Sequence, residues 1–347
     1  MMEIDGSLKS GSGTIVRYAL SLASLIKKAV RIKNIRAKRK NPGLRPQHLK
    51  TVQACCDLTQ GKAQNLKPGA SEIMFSPGKK IRGGSFSWDI GTAGSTTMMA
   101  LCVLPLALFS DKQSHYTISG GLFQDFAPNA FHVKCVLLHL LRRFSLQADL
   151  EMIRPGYVPS GAGIIKLRVT PITKKLLPLR LLEPGKVAFI KGVAISSHLE
   201  QKKVSERMKD ACLSVLEKAG YKADIEIIND KSANQRGAAL FIYAQTDTGC
   251  IIGADMAGKL GRPAEKIGGY VARSLLEDID SGATVDRFTA DQLILYAALA
   301  DGESGYIIPR MSAHIDSNLW LVEKMLGAKV SLDGKRLLIK GVGLERS

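Results

Sequence analysis

Apolar side chains recur along this chain at two spacings. Between residues 14 and 26 they fall at Ile15, Val16, Ala19, Leu20, Leu22 and Leu25, the three-and-four spacing of a helix with one buried face. Residues 29–37, AVRIKNIRA, alternate through Val30, Ile32 and Ile35, which predicts a strand. A polar loop, KRKNPGLRP, leads into a second helical stretch over 47–59. The same order returns twice. From Thr92, TAGSTTMMALCVLPLALF predicts a helix, SHYTISGG a strand, LFQDFAP a loop and NAFHVKCVLLHLLRRF a second helix, with two strand-like runs behind it. From Thr289, TADQLILYAALADG predicts a helix, SGYIIPRMS a strand and NLWLVEKML a second helix with Gly327 as its C-cap. AKVSLDG and KRLLIKGVG then close as a hairpin around Asp333-Gly334.

This recurrence predicts an α/β (α+β) fold whose large domain is built from three repeated α/β units. The interval between the second and third copies is too long for a loop and carries its own pattern. KVAFIKGVAIS, KADIEIIND, AALFIYAQTD and GCIIGADM read as strands, and LEQKKVSERMKDACLSVLEKAG as a helix. We expect a smaller α+β domain inserted over 183–281, with 1–182 forming the first two repeats and 282–347 the third. Quasi-equivalent strand–loop–helix junctions tend to converge, and converged loops are where sites are built. The three junctions read KRKNPGLRPQH, FQDFAPN and MSAHIDSN.

Composition narrows the class. Hydrophobic residues make up 45% and charged residues 23% of the 347, enough for a sizeable core. Lys and Arg number 49 against 31 Asp and Glu, a formal charge of +18. Such an excess attracts polyanions, nucleic acid foremost, although a plain basic surface would read the same way. The six cysteines, Cys55, Cys56, Cys102, Cys135, Cys212 and Cys250, show no CxxC spacing. That speaks against a zinc or thioredoxin-type motif and for reduced, mostly buried thiols in a cytoplasmic chain. MMEIDGSLKS contains acids and no apolar run, so it is not a signal peptide. The most apolar stretch, 97–109, is too short to span a bilayer and is interrupted by Pro105. No membrane partner is expected.

Within RAKRKNPGLRPQHL, Arg36, Lys38, Arg39, Lys40 and Arg45 crowd a short loop stiffened by two prolines and Gly43. Arginine forks match phosphate oxygens, while a charge run alone is more often a solvated loop. DGSLKSGSG, a Gly/Ser-rich loop before a helix, could bind an anion at the helix N-terminus or be a flexible turn; IGTAGST has the same character. Asp291, followed by Gln292, stands at a helix start, where an acid is common without function. His314 reads as lying just before a helix, at the junction matching the basic loop of the first copy. A helix N-terminus favours the neutral imidazole, the form that attacks phosphorus.

Taken in order, IDGS, IRAKRKNPGLRPQHL, TAGS, ISGG, GYVPSGAG, GKLGRPAEKIG, DQLILYAALA and the His314 segment resemble the RNA 3′-terminal phosphate cyclases over nearly the full chain. PGLRPQHL is the most specific of these motifs. The resemblance implies three α/β units with a small domain inserted before the third. It implies ATP-dependent conversion of an RNA 3′-phosphate end to a 2′,3′-cyclic phosphodiester, through an adenylylated histidine matching His314. Arg17, Arg36, Arg39 and Gln47 would contact nucleotide or phosphates, and Asp291 and Gln292 would line the same site. A divalent cation, Mg or Mn, is expected on the same ground, with its ligands unassigned. His48, borne on a helix, would support the structure.

The chain departs from the family pattern in its N-terminal loop. Ser10 stands where an acid is usual, Lys9 where a glycine is, and Thr14 where a glutamine is. That acid is associated with the metal and nucleotide site. The rival reading is therefore a non-catalytic cyclase-like factor in ribosome assembly or RNA processing. A small-molecule transferase related to the enolpyruvyl transferases would lack PGLRPQHL and would not need the charge. A homodimer is left open.

Overall fold

One strand order is used three times. The computed structural model describes residues 1–125 and 127–346; Phe126, within the second junction, and Ser347 lie outside the described residues. The first unit contains β1 (Met2–Asp5), α1 (Gly13–Ile26), β2 (Val30–Lys33), α2 (Pro46–Thr59), β3 (Lys62–Gln64) and β4 (Ile73–Ser76). Its sheet runs β1-β2-β4-β3, with β1 and β2 parallel and the other pairs antiparallel. The second contains β5 (Gly84–Asp89), α3 (Thr96–Leu108), β6 (Ser114–Gly120), α4 (Ala130–His132), α5 (Leu138–Leu141), β7 (Gln147–Arg154) and β8 (Gly163–Thr170). A π-helical stretch, Val133–Leu137, joins α4 to α5. The sheet order is β5-β6-β8-β7, with the same parallel and antiparallel pattern.

The third unit begins with β9 (Arg180–Leu181), in residues that the sequence reading leaves with the second repeat. The chain then runs through β10 (Val187–Ser197), α6 (Val204–Lys218), β11 (Ala223–Asp230), β12 (Gly237–Thr246), β13 (Ile251–Ala257) and α7 (Ala264–Asp280) before the third unit resumes. It completes with α8 (Thr289–Leu299), β14 (Glu303–Ile307), α9 (Ala313–Leu326), β15 (Lys329–Asp333) and β16 (Arg336–Lys340). Here β9 pairs parallel with β14, giving β9-β14-β16-β15, the order of the other two units. Each unit thus opens with a strand that the helix-first sequence pattern did not show. The interruption falls between the first strand and the first helix of the third unit.

The first helices of the units form the centre. Every residue of α3 and of α8 is buried, and α1 packs against α3 and α9. A helix apolar all round belongs in a core, where each Leu or Ile contributes roughly 1.5–3 kcal/mol by leaving water. In the interrupting segment, α6 and α7 cover one face of the β11-β10-β12-β13 sheet and enclose a second core around Met208, Cys212, Ile242 and Leu275. The opposite face brings Phe241 onto Phe131, rings 6.3 Å apart and stacked. The sequence reading missed α7, because Gly268-Gly269 weakens its helical pattern. Gly268 is needed by packing: a Cβ there would stand 2.3 Å from the Met208 carbonyl oxygen of α6.

A single buried carboxylate joins three parts of the chain. Asp286 Oδ2 lies 3.1 Å from His132 Nε2 and accepts from Gly253 N at 3.0 Å, while Oδ1 accepts from Thr289 N at 2.8 Å. These partners belong to the helix after the second junction, to β13 and to the start of α8. All six cysteines are free. Among the described residues no helix is long and apolar enough to cross a membrane.

Candidate functional site

The N-terminal ends of α1, α3 and α8 and the three junction loops open onto one cleft of about 330 Å³. Its lining includes Arg17, Arg36, Arg39, Gln47, Asp291, Gln292 and His314, all seven of the residues singled out from sequence. Larger hollows, of about 610 and 560 Å³, lie along β7, β8, β5 and β6. Their Asp149, Lys166 and Arg168 are the solvated alternate positions of a sheet with one wet face.

His314 stands inside a helix rather than ahead of one. Ser312 caps α9, accepting from Ile315 N at 3.1 Å, and His314 is the second helical residue. The helix starts earlier than the apolar pattern indicates because Ser317 and Asn318, poor helix formers, are held by distant partners. Asn318 Nδ2 donates to the Asp291 carbonyl at 3.0 Å, and its Oδ1 accepts from Thr14 Oγ1 at 3.1 Å. The Tyr18 hydroxyl donates to the same Asp291 carbonyl at 2.6 Å. These bonds pin α1, α8 and α9 together under the imidazole. Asp291 Oδ2 then stands 3.5 Å from His314 Nδ1, and Arg39 Nη2 stands 3.5 Å from Nε2. Gln292 Nε2 donates to the other Asp291 oxygen at 2.7 Å.

The N-terminal loop is tied to the same helix. Lys9 Nζ pairs with Asp316 Oδ1 at 3.0 Å, and Ser10 N donates to Ser317 Oγ at 3.0 Å. Lys38 Nζ donates to the Lys9 carbonyl at 2.8 Å and packs over Gly11, whose φ of +55° and missing Cβ permit the approach. So Ser10 forms part of a hydroxyl strap with Ser317 rather than a flexible turn.

Each polar residue of the basic junction has a distinct environment. Arg36 adopts φ +56° and braces its own loop, Nη1 donating to the carbonyls of Asn41 at 2.6 Å and Gly43 at 2.9 Å. Gln47 Oε1 accepts from Ser95 N at 3.0 Å, joining the junction to the start of α3. His48 is buried, and its Nδ1 accepts from Arg45 N at 3.3 Å. Burial, reinforced by the charges of Arg17, Arg36 and Arg45, pushes its pKa down to about 3. The ring is therefore neutral with its proton on Nε2, directed at Gly13, where a Cβ would come within 2.4 Å. Burial also lowers the pKa of Arg17, against the pull of Cys102 and Asp291. No acceptor pairs with its guanidinium among the described residues. A desolvated cation without an acceptor is costly and is relieved by an anionic ligand.

Acids are scarce in the cleft. Asp125 is held bidentately by Arg262, with both N···O distances 2.8 Å, which leaves Asp291. Among the described residues no group of three His, Cys, Asp or Glu side chains is placed to hold a metal. These side chains offer no all-protein cage for a divalent cation; Asp291 is the one carboxylate that suits a cation shared with substrate phosphates. Ser95, Gln124, Asp125 and Asn318 lie within the motifs IGTAGST, FQDFAPN and MSAHIDSN, but sequence reasoning did not single them out, because their partners come from elsewhere in the chain.

A family model described as RNA 3′-terminal phosphate cyclase matches residues 8–332. The RNA 3′-terminal phosphate cyclase of Methanopyrus kandleri is 34% identical over 340 residues, covering 96% of each chain. That of Pyrobaculum aerophilum is 35% identical over 349 residues, covering 99% of each chain. That of Archaeoglobus fulgidus is 35% identical over 342 residues, 98% of this chain and 100% of the relative.

Proposed function

We propose, since the chain belongs to the RNA 3′-terminal phosphate cyclase family, that it converts an RNA 3′-phosphate to a 2′,3′-cyclic phosphodiester using ATP as co-substrate. The observation that carries this reading is that one cleft is lined by His314, flanked by Asp291 and Arg39, and by a half-buried Arg17 whose guanidinium has no acceptor among the described residues. A carboxylate beside Nδ1 favours the tautomer with its proton there, leaving the Nε2 lone pair to the cleft.

In the proposed route Nε2 attacks the ATP α-phosphorus. A P–N bond forms, the P–O bond to pyrophosphate breaks, and its electrons leave with pyrophosphate. An oxygen of the RNA 3′-phosphate then attacks the same phosphorus and releases the imidazole. The neighbouring 2′-OH attacks the RNA phosphorus, loses its proton and expels AMP, a far better leaving group than oxide. Arg17, Arg39 and the Nε2–H of His48 would meet the phosphate charge that moves through these steps. No step is assigned to a metal.

A second reading has a specific observation behind it. The Ser10–Ser317 strap takes the place of the usual acid, which favours a non-catalytic relative that acts in RNA processing or ribosome assembly. Product analysis separates the two. A 3′-phosphorylated oligonucleotide incubated with ATP and either Mg²⁺ or Mn²⁺ should acquire a phosphatase-resistant end. Binding of the oligonucleotide with no protected end under any of these conditions would favour the non-catalytic reading.

A further inference from the structure

The wall of the cleft made by the second junction continues onto the interrupting segment. Arg262, in the loop after β13, grips Asp125 of that wall at 2.8 Å and also donates to the Ala257 carbonyl at 2.6 Å. Residues 156–162, between β7 and β8, are held from both sides. On one side Gly161 lies against the cleft loop, where an added Cβ would come within 2.8 Å of the Ala93 Cα. On the other, Ser160 N donates to Gln235 Oε1 at 3.2 Å, Gln235 Nε2 donates to the Tyr157 carbonyl, and Tyr157 Oη lies 2.8 Å from Ser197 Oγ. The loops before β12 and after β13 sit at the same end of their sheet, where Gly258 N donates to the Ala238 carbonyl at 2.6 Å.

These braced loops raise two large apolar side chains into solvent, Leu260 at 101% and Val158 at 59% of full exposure. Single exposed apolar residues are ordinary. These two share one rim with the exposed Arg236 and Lys259; the charge of Lys259 reaches Asp125, which Arg262 already holds with two hydrogen bonds. The neighbouring acids are engaged. Asp230 accepts from Ser197, Ser232 and Ala233, and Glu265 is paired with Arg207. The rim is therefore cationic and apolar at once: its cations suit the phosphates of a single strand, and its exposed aliphatic side chains offer apolar surface that base faces can cover.

We propose that this rim is the track along which the RNA body leaves the cleft, Arg236 and Lys259 meeting phosphates and Val158 and Leu260 meeting bases. The inference rests on the cyclase reading, in which an RNA end occupies the cleft. The test compares an unstructured RNA of about ten nucleotides, a length that spans such a rim, with a dinucleotide, both ending in a 3′-phosphate. The Arg236→Ala/Lys259→Ala double variant should weaken binding of the longer RNA about tenfold and lower the slope of log affinity against log salt by about 1.4. Leu260→Ser should weaken it a few-fold without moving the salt slope. Dinucleotide turnover and covalent labelling by ATP should be unchanged in both variants. Unchanged affinity and slope for the longer RNA, in a background where the wild type labels and cyclises, would overturn the track alone. A wild type that neither labels nor binds RNA would overturn the cyclase reading and the track with it.

Discussion

His314→Ala should lower cyclisation by at least about 10⁴-fold, the scale of removing a covalent nucleophile, with the fold intact. The side chain is 40% exposed and its neighbours Asp291 and Arg39 stand at 3.5 Å, so little packing is lost. Substitutions of this kind change stability by about 0.5 kcal/mol or less. A residue serving only the fold would show the opposite pattern, a lower melting temperature with proportionate activity. The turnover number should fall while nucleotide affinity, which the proposed route assigns to Arg17 and the basic junction, changes little. Rate and melting measurements on one preparation separate the two cases.

Asp286→Ala should be the most destabilising single substitution outside the apolar core, costing about 3–5 kcal/mol, as when a buried ion pair loses one partner. It strands the His132 imidazole, 1% exposed, and removes the acceptor of Gly253 N and Thr289 N. For a chain of 347 residues the melting temperature should drop by roughly 4–7 °C. Asp286→Asn, which keeps an oxygen for the N–H donors, should cost less.

The pH dependence follows from the same cluster. Burial opposes the charge of Asp286, but His132 and the N–H donors outweigh it and hold its pKa below the usual value. Its contribution is complete above about pH 4 and is lost as pH falls through the lowered pKa. Burial likewise opposes the charge of His132, and Asp286 overrides it to raise that pKa. That contribution is complete below about pH 6.5 and fades as pH rises through the raised value. Without Asp286, burial is opposed only by the charge of Asp255, and the pKa of His132 falls. The deficit of Asp286→Ala should therefore be larger at pH 5 than at pH 9. Burial pushes Asp255 up to about 7. An unfolded Asp ionises near pH 4, so Asp255 makes wild-type stability decline as pH rises from about 4 toward 7. Melting curves across this range check both slopes.

Long apolar helices were legible in the sequence because their burial is written locally. The periodicity of residues 14–26 became α1, and the unbroken apolar run after Thr96 became α3. Short strands were not. Strand β9 is two residues long and exists only through its pairing with β14, more than a hundred positions onward. Helix α9 looked late to start because Ser317 and Asn318 are favoured there by partners in the N-terminal loop and α8. For the cleft, the repeated junctions point to convergence of KRKNPGLRPQH with MSAHIDSN, while Arg36, Arg39 and Gln47 are assigned to the site by the family resemblance. The strap at Ser10 and the scarcity of acids depend on which side chains meet across units. No local spacing encodes that.

The central claim is that His314 becomes covalently adenylylated. Incubation with ATP labelled at the α-phosphate should place an acid-labile, alkali-stable label on the peptide containing His314 and none on His314→Ala. A wild-type chain that stays unlabelled with Mg²⁺ or Mn²⁺, or a label that survives in His314→Ala, would contradict it.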